Sequence, residues 1–126
     1  MEQESQIRTL EQKRASKAWD FVNEVKQKEE GTKKKYRSLA LKTPVLILTN
    51  GLGQTLAFFK SKGGEHELLY GHLTKWLTNE NKIYEPGELV QKVISGDSAK
   101  YRQATTETLA FLNWLKRFAE AVLPED

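Results

Sequence analysis

The 126-residue chain is 38% hydrophobic and 29% charged, carries a formal net charge of +3 and contains no cysteine. That length supports one domain around one core, and the missing thiols exclude disulfides and thiolate metal sites. The charge is uneven: residues 1–63 hold thirteen Lys/Arg against seven Asp/Glu, and residues 64–126 hold seven against ten, so one half is suited to meeting anions.

The first thirty residues contain no apolar h-region, so no signal peptide is expected. The apolar run Val45 to Leu48 is far too short to span a bilayer. Absence of cysteine suits a reducing compartment, and a cytoplasmic location is expected. A charged fraction above the usual quarter predicts amphipathic helices with wide wet faces.

In chain order, Ser5 to Glu30 shows helical spacing. Ile7, Leu10, Ala18, Phe21, Val22 and Val25 lie near one face, with Ala15 and Trp19 on its flank. Lys13 and Lys17 stand one turn apart on the wet side. Gly31 is expected to stop this helix and Thr32 to cap the next. In that second helix Tyr36, Leu39, Ala40, Thr43, Leu46, Ile47 and Asn50 keep helical spacing straight through Pro44. The rival is a helix ending at Lys42 followed by a strand from Val45 to Thr49. A lone strand cannot satisfy its backbone groups, and no convincing second strand exists to pair with it, so a helix kinked near Pro44 is expected. Asn50-Gly51 then turns the chain.

A third helix runs from about Leu52 to Ser61 with Leu52, Thr55, Leu56 and Phe59 inward, and Gly63-Gly64 ends it. A fourth covers Glu65 to Thr78, using Leu68, Leu69, His72, Leu73, Trp76 and Leu77. Asn79 to Glu85 is a polar connection. A short fifth helix is expected to start at Pro86, a good first helical position, and shows Leu89, Val93 and Ile94. The last helix carries Tyr101, Ala104, Thr108, Phe111, Leu115, Phe118 and Val122 at alternating spacings of three and four, capped by Asp97 or Ser98 and ended by Pro124. Its roughly 26 residues reach about 39 Å. The expected architecture is all-α, one compact bundle of about five to six helices over residues 1–126, with long first and last helices.

Little in this pattern supports chemistry. Val45 to Leu56 places Gly51-x-Gly53 between an apolar run and a helix, as a dinucleotide site would. Leu56 occupies the position of the third small residue, and no acid follows about twenty residues on. A glycine-assisted helix–helix turn is the better reading. No Gly-Lys-Ser/Thr follows to make a P-loop. His66 and His72 are six apart and share no helical face for a metal. His72 lies on an apolar stripe and reads as a core histidine, His66 as a surface one. Without a cysteine or a placed His–Asp pair, nucleophilic catalysis has no support. Glu29-Glu30 and Glu65/Glu67 read as solvated surface acids. No catalytic residue, cofactor or metal is expected. Trp19, Trp76 and Trp114 read as packing residues, with Trp114 slightly off its stripe and open to a partner contact.

The basic set remains. Lys33, Lys34, Lys35, Arg37 and Lys42 occupy the second helix, and Lys60 and Lys62 end the third. An antiparallel pairing of those helices would bring Lys60 and Lys62 toward Lys33 to Arg37. Such a cluster binds phosphates with counterion release, although a merely solvated face has equal standing. Tyr36 is phased to pack inward rather than to stack on a base.

Four motifs in fixed order give the chain a family likeness. They are Arg14-Ala15-x-x-Ala18-Trp19, then Tyr36-Arg37-x-Leu39-Ala40-x-Lys42-x-Pro44-Val45. Next comes Asn50-Gly51-Leu52-Gly53-Gln54-Thr55-Leu56-Ala57-Phe58 with Lys62-Gly63. The last is Tyr101-Arg102-x-x-Thr105-x-Glu107-x-Leu109 with Trp114-Leu115-Lys116-Arg117-Phe118-Ala119. With them the chain resembles the small all-helical subunit of the type III-B CRISPR effector, the fifth protein of the Cmr module. The resemblance covers most of the chain. It implies a helical bundle without an active site, acting in antiviral defence. Copies of it would stack beside the repeating backbone subunit, with other Cmr-type proteins, along guide and target RNA. Arg14, Lys17, Lys42, Lys116 and Arg117 are the basic positions that match. The triplet Lys33, Lys34, Lys35 and Arg37 enter as RNA contacts on electrostatic grounds alone. A free-standing helical nucleic-acid binder and a small enzyme using an unrecognised site around His72 remain the alternatives.

Overall fold

The structure, a computed structural model, describes residues 8–126. Those residues form α1 (Leu10–Lys26), α2 (Glu30–Asn50), α3 (Leu52–Lys62), α4 (Gly64–Thr74), a π-helical turn (Lys75–Glu80), α5 (Leu89–Ser95) and α6 (Ser98–Val122). No strand occurs among them. α6 is the central beam: α1 lies along it, α2 packs across it, and α3 and α4 close over α2. Phe21 and Val25 of α1, Tyr36 and Leu39 of α2, Phe59 of α3, Leu73 of α4, Trp76, and Phe111 and Leu115 of α6 meet in one core.

The expected start of the first helix at Ser5, and its stripe residue Ile7, lie outside the described residues. Within them α1 opens behind a capping box: Gln12 N–H donates to Thr9 Oγ1 at 3.0 Å and Thr9 N–H donates to Gln12 Oε1 at 2.9 Å, which satisfies two orphan donors. The helix stops at Lys26, earlier than the Glu30 expected, and Lys28 N–H closes a tight turn onto Val25 O at 2.9 Å. After Val25 come five polar residues, so nothing apolar holds a further turn against the core. Gly31 therefore falls inside the first turn of α2, with Glu29 at its N-cap and no side-chain cap from Thr32.

α2 is helical straight through Pro44, as the helical spacing requires and the rival strand does not. The proline has no N–H for Ala40 O, and Thr43 Oγ1 bonds Leu39 O at 2.6 Å one turn back. Gly51 ends the helix at φ +87°, a left-handed conformation that favours glycine, and α3 starts at once. Gly63 and Gly64, at φ +72° and +58°, make the next corner.

The fourth helix extends through the π turn to Glu80, where Asn81 N–H reaches back five residues to Trp76 O at 2.8 Å. α5 starts at Leu89 rather than Pro86. Gly87 at φ +152° and the extended Glu88 keep the preceding residues out of the helix. Val90 N–H is instead held by Tyr70 Oη at 3.0 Å. Asp97, not Ser98, caps α6, accepting Lys100 N–H at 2.8 Å.

Candidate nucleic-acid interface

The nine basic residues singled out in the sequence fall into three environments. Arg14 is turned inward: its guanidinium donates to both oxygens of Glu107 at 2.7 Å each and to Glu11 at 2.8 Å, leaving the side chain 16% exposed. Glu107 strengthens the hold of Arg14 on its proton, against the cost of burial. Arg37 is as enclosed as Arg14, at 15% exposed, with its Nε buried and one terminal nitrogen 3.7 Å from the exposed Glu125. Three others pair at the surface: Lys17 meets Glu80 at 3.3 Å, Lys33 meets Glu30 at 3.1 Å and Arg117 meets Glu120 at 3.3 Å. Surface pairs of this kind are worth about 0–1 kcal/mol and exchange readily for another anion. Lys34, Lys35, Lys42 and Lys116 form no ion pair with a described residue.

Lys35 and Lys42 are seven residues apart on α2, both exposed, and Lys34 stands beside Lys35. Helical geometry puts positions seven apart on one face, about 10.5 Å along the axis. The turn at Gly51 fixes what lies opposite. α3 is eleven residues long and α2 twenty-one, so an antiparallel return brings Lys62 only as far as Lys42. Both lysines bear on His66, which burial and their charge hold below its usual pKa despite the neighbouring Glu65. Lys60 is drawn away to Glu88 at 2.8 Å. The expected meeting of Lys60 and Lys62 with Lys33 to Arg37 therefore does not form, because α3 is too short.

The Gly51-x-Gly53 segment is a helix–helix corner. Gly53 N–H, at the start of α3, donates to Tyr101 Oη at 2.9 Å. A side chain at Gly51 would meet the same hydroxyl at 3.3 Å. The amide that would face a pyrophosphate is already bonded.

His72 is buried, stacked on Phe21 at 4.2 Å. Its Nδ1 lies 2.7 Å from Tyr36 Oη and its Nε2 3.3 Å from Glu24. Burial pushes its pKa down to about 4, against the pull of Glu24, and raises that of Tyr36. The ring is thus neutral at pH 7, accepting from the Tyr36 hydroxyl and donating to Glu24. Tyr36 is fully enclosed, so it packs and does not stack on a base. A groove of about 470 Å³ beside His72 carries Glu24, Lys28, Glu67 and Lys75. Among the described residues, no cluster of three or more His, Asp or Glu could hold a metal ion.

Sequence reasoning gave Glu107 no structural role. It is a buried carboxylate that also accepts Trp76 Nε1–H at 3.1 Å. The signal was its phase: it adjoins Thr108, which lies on the apolar stripe of α6. Trp76 is buried, while Trp19 is 47% exposed against Phe118. Trp114 is half-buried, with its Nε1–H directed to Glu11 at 3.3 Å. No helix among the described residues is long and apolar enough to cross a membrane.

Comparison with known proteins gives one consistent result. The family model described as CRISPR-associated protein (Cas_Cmr5) matches residues 10–122. The CRISPR system Cmr subunit Cmr5 of Thermus thermophilus is 38% identical over 120 residues, spanning 94% of this chain and 100% of that protein. The crystal structure of a CRISPR-associated Cmr5 family protein from Thermus thermophilus superposes with a TM-score of 0.79. It is 36% identical and spans 93% of this chain and 100% of the other.

Proposed function

The chain belongs to the Cmr5 family of CRISPR-associated proteins, and on that premise we propose that it is a non-catalytic subunit of an RNA-guided, RNA-targeting Cmr ribonucleoprotein. It stacks beside the backbone subunit and beside copies of itself, and its basic residues meet RNA phosphates. The observation that carries this reading is the outer face of α2, where Lys34, Lys35 and Lys42 stand without an ion-pair partner among the described residues. Residues 31–64 contain seven Lys/Arg and no Asp or Glu to compete with phosphate. Lys33, Lys17, Lys116 and Arg117 add contacts by releasing weak surface pairs or by direct reach, and the largely enclosed Arg37 adds one through the terminal nitrogen that faces Glu125. Arg14 acts from inside, by fixing α1 on α6.

The test is alanine at Lys33, Lys34, Lys35 and Arg37 together, in the assembled complex, with target-RNA affinity measured across a salt series. Each phosphate that is no longer neutralised lowers the slope of log K against log salt by about 0.7 for a single strand, so a four-residue change should lower it by about two to three. An unchanged slope and affinity removes the cluster from the account. Strong salt-dependent RNA binding by the isolated chain would favour a free-standing binder instead.

A further inference from the structure

Three rings gather at the seam where α1 lies along α6. Trp19 of α1 meets Phe118 of α6 edge to face at 5.1 Å, and Trp114 lies 5.8 Å from Phe118 with the two planes 36° apart. Trp19 is 47% exposed, and its indole N–H makes no hydrogen bond to a described residue. The sequence keeps these rings uncovered. Ala110, Trp114, Phe118 and Ala121 follow one another along α6 at spacings of four, four and three, and Ala15 stands one turn before Trp19. Residues three and four apart are neighbours on a helix, so each ring has a methyl group beside it where a longer side chain would lean across. Asn23, one turn after Trp19, is folded back onto Trp19 O at 2.9 Å. An edge-to-face contact commits only the edge of one ring and leaves that ring's faces free of its partner.

The open charge at the seam is positive. Arg117, three residues after Trp114, is 71% exposed. Lys26 is exposed two turns beyond Trp19 on the same face of α1 and forms no ion pair with a described residue. The nearby acids are engaged or turned away. Glu11 holds Arg14 at 2.8 Å and Trp114 Nε1–H at 3.3 Å, and Glu120 holds Arg117 at 3.3 Å. Asp20 faces the cleft lined by Arg8, Lys13 and Lys17, and Glu24 turns to His72. Protein interfaces also use rings, but set them in a wider apolar patch. Here no exposed Leu, Ile or Val adjoins a ring: Leu10 is nine residues from Trp19, half-way round α1, and Val45, Leu48 and Ile94 belong to α2 and α5. Bare rings edged by cations suit the face of a nucleobase.

We infer that Trp19, backed by Phe118 and Trp114, is a stacking platform for an unpaired RNA base, with Arg117 and Lys26 toward the flanking phosphates. The inference rests on the reading that this chain meets RNA, and it adds a site that holds a base by its face rather than a phosphate by charge. Every base has a π face, so such a platform holds a strand of any sequence. That indifference suits an assembly in which pairing with a guide reads the sequence.

The test uses the assembled complex and target RNA carrying 5-iodouridine at successive positions, irradiated with long-wavelength ultraviolet light and mapped by mass spectrometry. The expected product joins a uracil ring to Trp19 or Phe118. Trp19→Leu keeps apolar bulk without the ring, and at a half-exposed site it should fold and assemble. It should weaken target binding by about tenfold, the scale of one stacked base. The slope of log K against log salt should match the wild type, because a stacked base releases no counterion. Trp19→Tyr should restore most of the affinity. Wild-type affinity in Trp19→Leu, an equal loss in Trp19→Tyr, or cross-links confined to other residues overturns the platform. A Trp19→Leu chain that no longer enters the complex overturns it too, by making the seam a protein contact. Each of these results leaves the phosphate-binding reading standing, since that reading fails on the unchanged salt slope of the lysine variant.

Discussion

The pair Arg14–Glu107 ties residues 93 positions apart, and its removal is the sharpest test of how this bundle is held. Glu107→Ala deletes the acceptor of two guanidinium bonds at 2.7 Å and of the Trp76 indole at 3.1 Å. The side chains involved are 16% and 7% exposed, so water replaces little of what is removed. Breaking a buried pair from one side costs about 3–5 kcal/mol, because the other charge stays enclosed. Here Arg14 keeps Glu11 at 2.8 Å, which places the loss near the lower end, at about 3 kcal/mol. With an unfolding entropy of about 2.1 cal/mol/K per residue, that lowers the melting midpoint by about 11 °C. Urea unfolding followed by tryptophan fluorescence measures it directly. Replacing both partners, Arg14→Met with Glu107→Leu, should recover most of the loss, since apolar side chains leave no charge stranded. A loss below about 1 kcal/mol in Glu107→Ala, or a double variant less stable than either single one, refutes the argument. The same cycle separates the two roles open to Arg14: Arg14→Met/Glu107→Leu in the assembled complex should bind target RNA as the wild type does.

Four further outcomes follow from the geometry. His72 has a folded pKa of about 4 against an unfolded value near 6.5, so the unfolded chain takes up the proton first. Stability is full above pH 6.5 and is lost as pH falls toward 4, by up to about 3 kcal/mol. Tyr36→Phe/His72→Phe should flatten that part of the pH–stability curve, and an equally steep curve would rule the histidine out as its source. Gly51→Ala forces a side chain into a left-handed conformation 3.3 Å from Tyr101 Oη and should cost about 1–2 kcal/mol. Gly71→Ala, in mid-helix with nothing within 4 Å, should gain up to about 1 kcal/mol, and urea midpoints moving the other way would contradict both. Tyr101→Phe removes the acceptor for Gly53 N–H and should cost about 1 kcal/mol in the same assay.

The helices were legible because their apolar residues recur at helical spacing and their breaks carry glycine. The stripe of α6, the passage of α2 through Pro44 and the corners at Gly51 and Gly63-Gly64 needed no knowledge of neighbours. The misplaced boundaries share one cause. Gly31 and Pro86 are good punctuation in isolation, but the core decides where a helix runs out of apolar cover, at Lys26, and where Gly87 and Glu88 keep the chain extended. The candidate interface was less legible. A row of lysines reads alike whether each meets solvent, a carboxylate or RNA. Only the fold reveals that Arg14 faces Glu107, that Lys60 goes to Glu88 and that Lys34, Lys35 and Lys42 share a face without ion pairs to described residues. Val45 and Leu48 fall off the inward stripe read for the second helix, and both are exposed. Their exposure follows from the phase of α2, which turns Tyr36, Leu39 and Ile47 inward.

The first and last helices of the described chain lie side by side, and that arrangement bears on synthesis. While α6 is still inside the ribosome, the apolar stripe of α1 lacks the helix it lies along and keeps only lesser cover such as His72 on Phe21, and the Arg14 guanidinium has no Glu107. α2, α3 and α4 can settle early through short turns, but the bundle closes only when the final beam emerges. A nascent chain halted before Ser98 would leave α1 without its principal packing partner, a natural target for holdase chaperones.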